Sequence, residues 1–318
     1  MQPLRSLLAA AFALCAGALP AYALDKITIS DVGTGSSTHW PMFIAMDKGF
    51  AKDAGVEIEY VGVPSSSAAM QQVAASAVNM TVGGLVDALR AIDKGAPAKL
   101  VRTEAGPSIY EVYARPEIKS FADLRKKTVM IGGIKDVTRI YFEEMATANG
   151  VKPGEYDYIF AGATAARFGA LASGSIAATI LTPPFNFKAA GAGYAKLGTS
   201  ADYSKGFPFT GYSANVRWAE KNKPAIQGFS AAYARGVEWF YQPENRAEAI
   251  AILVKYSKGA PEDVANTYDF YVKLKTFSHD GDMAESGIQN LIGILKKDGD
   301  LEGAADLPRF YDASLVGR

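Results

Sequence analysis

Two hydrophobic periods alternate along this chain, and that alternation constrains its fold more than any other feature. Strand-length runs with every second residue apolar, such as KITISDV (26–32) and VEIEYVGV (56–63), are separated by runs with helical spacing, such as 41–52 and 85–95. A period of two buries one face of a strand, and a period near 3.6 buries one stripe of a helix. Repeated in this order they make βαβ units, in which helices cross over a parallel sheet. Further strands are expected at 78–84, 98–104 and 109–114, and a second set at 127–133, 156–162, 175–181 and 194–198. Helices are expected between them, among them 137–149, 163–173 and 184–191. Pro41 is placed to open the first helix and Gly55 to end it. Ser120, Phe121, Ala122 and Asp123 read as a capping box. Residues 209–216 read as an extended segment crossing back, and from Trp218 onward the chain is mainly helical, with helices at 223–241, 243–257, 261–275 and 284–298.

Two stretches about 100 residues apart share one build: a helix ending AASA (74–77), then VNMTVGG and a helix, and a helix ending ALASG (170–174), then SIAATIL and a helix. Either they are equivalent units of two similar lobes, or any two βα units look this much alike; the sequence leaves both readings open.

The N-terminus sets the expected compartment. Arg5 precedes an uncharged apolar run, Leu7 to Leu19, which ends at Ala21-Tyr22-Ala23. This is the pattern of a cleavable export signal, with cleavage expected to leave Leu24 or Asp25 at the mature end. The run is shorter than the roughly 20 residues of a spanning helix; a retained short anchor is the alternative. Leu14 precedes Cys15 where a lipoprotein signal would need a small residue. Cys15 is the only cysteine, so the mature chain has no disulfide, thiolate nucleophile or cysteine-bound metal. Loss of Arg5 lowers the 33 basic residues by one against 33 acidic, a net charge of −1. No Lys/Arg-rich run exists, which excludes nucleic acid and anionic membrane surfaces as expected partners.

Four segments then carry a resemblance. Pro41-Met42-Phe43-Ile44-Ala45-Met46-Asp47-Lys48-Gly49-Phe50, running on to Ala54-Gly55-Val56-Glu57-Ile58, is the first. Ser120 to Val129 (SFADLRKKTV) is the second; Ala170 to Gly174 with Thr182-Pro183-Pro184 is the third; Asp312-Ala313-Ser314-Leu315-Val316 is the fourth. In this order they resemble the periplasmic solute-binding proteins of nitrate/sulfonate/taurine-type ABC importers, a family that includes thiamine-pyrimidine binders. The resemblance implies an α/β, two-lobed periplasmic binding protein fold (type II), each lobe a mixed sheet flanked by helices, joined by two crossing strands near 105–113 and 208–215. One lobe would comprise 24–107 plus 213–318 and the other 108–212, with the ligand cleft between them. It implies a periplasmic carrier, monomeric and without cofactor, that hands a small solute to a membrane ABC permease with its cytoplasmic ATPase. It also implies that the chain is not an enzyme. A related eukaryotic thiamine-pyrimidine synthase uses a cysteine-rich segment that this chain lacks.

Candidate ligand contacts are the polar loops that follow strands and open helices, where free N–H groups and hydroxyls can hold a polar group. They are Ser37, Thr38, His39 and Trp40 after the first strand, Ser66 and Ser67 after the second, and Gly84, Leu85 and Asp87 after the third. From the second set come Val137, Thr138, Arg139, Thr182 and Pro183, and from the crossings Tyr110 and Tyr212. Trp40 could stack on a planar ligand, and Arg139 could pair with an anion. The competing readings are that the hydroxyls are helix caps, Trp40 is core, Asp87 stabilises a helix dipole and Arg139 is a solvated surface group. Read as a dinucleotide fingerprint, Gly33-Thr34-Gly35 lacks its third glycine. His39 and His279 are the only histidines, with no His pair at metal spacing and no G-x-S-x-G. An aromatic acid, a sulfonate or a pyrimidine would fit these loops. An exported enzyme on the same fold, or a sensor subunit for a membrane receptor, are the alternatives.

Overall fold

A computed structural model of the chain describes residues 24–32, 35–63, 66–106, 108–162, 164–203, 208–278, 285–312 and 314. The expected signal segment with Cys15, the loop residues Gly33 and Thr34, His279, and Ala313, Leu315 and Val316 of the last family segment lie outside the described residues. Ten strands form among the described residues: β1 (Asp25–Val32), β2 (Val56–Val63), β3 (Met80–Gly84), β4 (Ala98–Ala105), β5 (Glu111–Ala114), β6 (Thr128–Ile131), β7 (Asp157–Phe160), β8 (Ala178–Leu181), β9 (Ala195–Thr199) and β10 (Thr210–Asn215). The period of two is visible in β2, where Val56 and Ile58 are buried while Glu57 and Glu59 face water. β1 pairs with it in parallel, with Ile27 opposite Ile58 and Ile29 opposite Tyr60.

The strands make two five-stranded sheets, ordered β2-β1-β3-β10-β4 and β7-β6-β8-β5-β9. Position by position the orders correspond. β1 and β6 lie second, each parallel to the strand on either side; β3 and β8 lie third; β10 and β5 lie fourth and run antiparallel to both neighbours. The two similar stretches of sequence are therefore the third strands of two like sheets. Each antiparallel fourth strand is supplied by a chain that has just left the other sheet: β5 follows β4, and β10 follows β9.

Residues 210–215 are thus not merely a crossing. All six residues of β10 are buried, because the strand lies inside the first sheet with neighbours on both edges. It also runs through the expected lobe boundary between Tyr212 and Ser213. The expected helix over 41–52 is two helices, Trp40–Asp47 and Phe50–Asp53, separated by Gly49 at φ +77°, a left-handed conformation that ends a helix without steric cost only at glycine. The expected helix 243–257 begins with a 3₁₀ turn, Pro243–Asn245, before the α-helix Arg246–Ser257. The helices Lys223–Tyr241 and Pro261–Leu274 closely match expectation. No helix among the described residues is long and apolar enough to cross a membrane.

The helix Lys223–Tyr241 packs on Trp40–Asp47 so closely that a Cβ on Gly236 would lie 2.3 Å from the Pro41 carbonyl oxygen. That contact is with backbone and cannot relax by a rotamer change. Gly236→Ala should therefore push the two helices apart and destabilise the fold by about 1–3 kcal/mol. The check is a lower urea midpoint with an unchanged denaturant slope.

Candidate functional site

Between the two sheets lies a cavity of about 500 Å³, within the range of small-molecule sites. Loops after β1 and β3 form one wall, with Ser36 to His39, Gly83, Gly84 and Asp87. Loops after β6, β7 and β8 form the opposite wall, with Asp136, Val137, Gly162, Thr164 and Thr182 to Pro184. The two connections between sheets contribute Ile109 and Tyr110, and Phe209 and Thr210, while Leu253, Asp263 and Thr267 close a third side. This is the C-terminal strand end where open α/β sheets gather their ligands.

The floor is built on the segment after β1. Gly35 sits at φ +70°, and a Cβ there would lie 2.5 Å from the Ser257 backbone, so only glycine fits the turn. Ser36 Oγ accepts from the Thr38 N–H at 3.4 Å and starts a 3₁₀ turn, Ser37–His39. The Ser37 hydroxyl is held by the Tyr271 hydroxyl at 2.8 Å. His39 then lies between two buried carboxylates. Its Nδ1–H donates to Glu104 Oε1 on β4 at 2.6 Å, and its Nε2–H donates to Asp31 on β1. The Tyr212 hydroxyl on β10 donates to the same Glu104 oxygen at 2.9 Å. Burial alone would lower the imidazole pKa, but attraction to Asp31 and Glu104 and the hydrogen bonds to both outweigh it and raise the value to about 10. At neutral pH the ring is a cation with both N–H groups already donated.

Nine of the expected contacts line the cavity: Ser37, Thr38, His39, Gly84, Asp87, Tyr110, Val137, Thr182 and Pro183. Five others do not. Trp40 is fully buried in the core, donating Nε1–H to the Ala249 carbonyl at 2.8 Å and packing edge-on against Phe240 and Tyr268. Tyr212 is fully buried behind Glu104, and Leu85 is fully buried in the core. The buried Thr138 hydroxyl accepts from the Gly132 N–H at 2.7 Å and so braces its own loop. Arg139 reaches out to Asp298, 3.5 Å away. Ser66 and Ser67 begin the helix Ser66–Ala74, but their side chains lie outside what is described. Residues that sequence reasoning did not single out include Thr210, Leu253, Asp263 and Thr267.

The charged side chains lining the cavity are Asp87, Asp136, Asp263 and the clamped His39; no lysine or arginine lines it among the described residues. Burial pushes the Tyr110 hydroxyl pKa well up, with Arg167 opposing and Asp136 and Asp87 adding to the rise, so it stays a neutral hydroxyl. Arg167 is buried and spends its N–H groups on β8 and on the segment after β7: Nε to Ile180 O at 2.9 Å, Nη1 to Gly162 O at 2.6 Å, and Nη2 to Thr164 Oγ1 at 2.9 Å. At the rim, groups from the two sides meet. Lys188 lies 3.4 Å from Asp263, the Phe187 and Phe270 rings are 5.8 Å apart, and Arg90 and Lys135 share Asp300. Among the described residues no three His, Cys, Asp or Glu side chains gather as a metal site.

This two-sheet architecture with a cleft at the strand ends is that of periplasmic binding proteins. The chain belongs to the NMT1/THI5-like family, whose sequence model matches residues 36–247. The aliphatic sulphonate-binding protein SsuA of Escherichia coli superimposes with a TM-score of 0.75 at 17% identity, covering 91% of this chain and 92% of that one. The nitrate-binding protein NrtA of Synechocystis PCC 6803 gives a TM-score of 0.73 at 16% identity over 92% and 87%. A ligand-binding component of an ABC-type import system from Staphylococcus aureus gives 0.76 at 14% identity over 92% and 98%. At these identities the likeness is one of fold. In sequence, the chain is 24% identical over 147 residues to the yeast 4-amino-5-hydroxymethyl-2-methylpyrimidine phosphate synthase THI11 of Saccharomyces cerevisiae, over 45% of this chain. It spans 43% of that relative's length.

His39 links the floor to stability. His39→Gln leaves two buried carboxylates without their cation and should cost about 3–5 kcal/mol, read from chemical denaturation at pH 7. The pH dependence has a definite sign. A pKa raised from 6.5 to about 10 gives stabilisation that is complete below pH 6.5 and is lost as pH rises through 10. The wild-type urea midpoint should fall between pH 7 and 10, more steeply than that of His39→Gln.

Proposed function

We propose that the protein is the solute-binding subunit of an ABC importer, and that its two sheets are lobes that close on a small organic solute and present it to a membrane permease. The observation that carries this reading is the cavity itself. It measures about 500 Å³, mixes apolar with polar side chains, and is walled by loops from both sheets, so a solute filling it would touch both lobes at once. On this reading the first lobe takes in 24–107 together with the C-terminal helical region and all of β10. The second lobe is the segment from β5 to β9. The export signal expected over 1–23 would place the mature protein in the periplasm.

A second reading, an enzyme on the same fold, is favoured by the similarity to the yeast synthase. The floor argues against a mechanism with His39 as the base. A histidine acting as general base needs an unprotonated ring nitrogen facing the substrate. His39 is instead a cation with both N–H groups bonded to carboxylates.

Thermal-shift screening of the mature chain against small solutes should yield at least one that raises the melting temperature, and that solute should be recovered chemically intact after long incubation. Small-angle scattering should show the protein contract as it binds. A chain that no solute stabilises is not a carrier, and turnover of the bound compound would make it an enzyme.

A further inference from the structure

We propose that the solute carries a cationic nitrogen, an ammonium, an amidinium or a protonated amine on a heterocycle, seated between the Asp87 carboxylate and the Thr210 hydroxyl. This rests on the solute-binding reading above and names the chemistry of the same cavity. It departs from the anions named for the sulphonate- and nitrate-binding proteins of like fold.

The first observation is the charge inventory. Three aspartates line the cavity, and the one lining cation among the described residues, His39, is already bracketed by the carboxylates of Asp31 and Glu104. The nearby cations already have partners. Lys188 pairs with Asp263 at the rim and offsets that aspartate's charge, and Arg167 places its donors on carbonyls and Thr164. An anion entering this space would meet carboxylates and, among the described lining residues, no Lys or Arg to pair with.

The second observation is independent of charge. Thr210 is 6% exposed and lines the cavity, yet its Oγ1 has no hydrogen-bond partner among the described residues. Buried hydroxyls are nearly always bonded, so this one is poised for a polar group from outside the chain, and its lone pairs can accept from an N–H. Its position matches that of Asp87. Thr210 pairs across the sheet with Gly84, and a Cβ on Gly84 would lie 3.8 Å from Asp87 Oδ2. The missing side chain at Gly84 leaves room for a group that touches both. Asp87 lies in the first turn of the helix Leu85–Asp93. Beside them the Tyr110 and Phe209 rings, with centroids 5.4 Å apart, line the same space, and aromatic faces attract cations.

The test uses ligands matched in shape and opposite in charge, measured by calorimetry on the mature wild-type chain: benzamidine against benzoate, and ethylammonium against ethanesulfonate, with nitrate added. The expected result is that the cation of each pair binds at least about tenfold tighter, equivalent to about 1.4 kcal/mol. Asp87→Asn should weaken benzamidine by about 30-fold or more. Thr210→Val, nearly the same shape, should weaken it several-fold while leaving the melting temperature of the unliganded protein within a degree or so. Thr210→Val keeps the test decisive if Asp87→Asn does not fold. Tighter binding of benzoate, ethanesulfonate or nitrate overturns the charge assignment and leaves solute binding standing. So does unchanged benzamidine affinity in both variants. Binding of none of the five compounds overturns this assignment, and the solute-binding reading is then decided by the thermal-shift screen.

Discussion

The cavity floor depends on one buried ionic arrangement, Asp31–His39–Glu104. Desolvating two carboxylates is unfavourable by several kcal/mol each, and only a cation with good hydrogen-bond geometry offsets it. His39 supplies that cation to both at once, from a 3₁₀ turn rather than from the sheet. The result ties together β1, β4 and the site loop. Tyr212 adds β10 through Glu104, and the Tyr233 hydroxyl reaches the Glu104 carbonyl at 3.4 Å. Arg102, also buried, stacks over Tyr233 at 4.6 Å. With Arg102 the four charges sum to zero, but Asp31 Oδ2 and Glu104 Oε2 lack hydrogen-bond partners among the described residues. An arrangement that keeps such a cost while an apolar core of like volume would avoid it is better explained by positioning than by stability. What it positions is the loop that lines the cavity.

Much of the fold was legible because it is local. β2 and the helix Lys223–Tyr241 fall on the ranges their hydrophobic periods indicate, and the capping box at Ser120 forms. The site was half legible, because loops after strands must meet at one edge of a parallel sheet whatever the details. The failures concern which way a side chain faces. Trp40 begins the first helix beside the cavity, and nothing nearby in sequence shows that the helices carrying Ala249 and Tyr268 cover it. Asp263 and Thr267 stand four residues apart on one helix, which reads as a solvated stripe; the fold turns that stripe onto the cavity. Thr210 was hidden for another reason. Its segment reads as a connector, but the strand is inserted at the fourth place of the first sheet, a long-range pairing that no local period records.

The matched strand orders give the two sheets more than a common build. Each sheet takes its antiparallel strand from chain arriving out of the other, and the described ends of the two connections, Tyr110 and Phe209–Thr210, line the cavity. A solute between the sheets therefore contacts the segments about which the proposed lobes would turn, and its binding energy is delivered where it can bias their angle. The rim contacts cannot do this alone. Ion pairs such as Lys188–Asp263 and Arg139–Asp298 are partly open to water, and such pairs are each worth about 0–1 kcal/mol. If the proposed lobes open and close, a handful of such pairs would leave the two arrangements within a few kcal/mol of each other. A charge pair made only when both walls are present would then shift the balance toward the closed one.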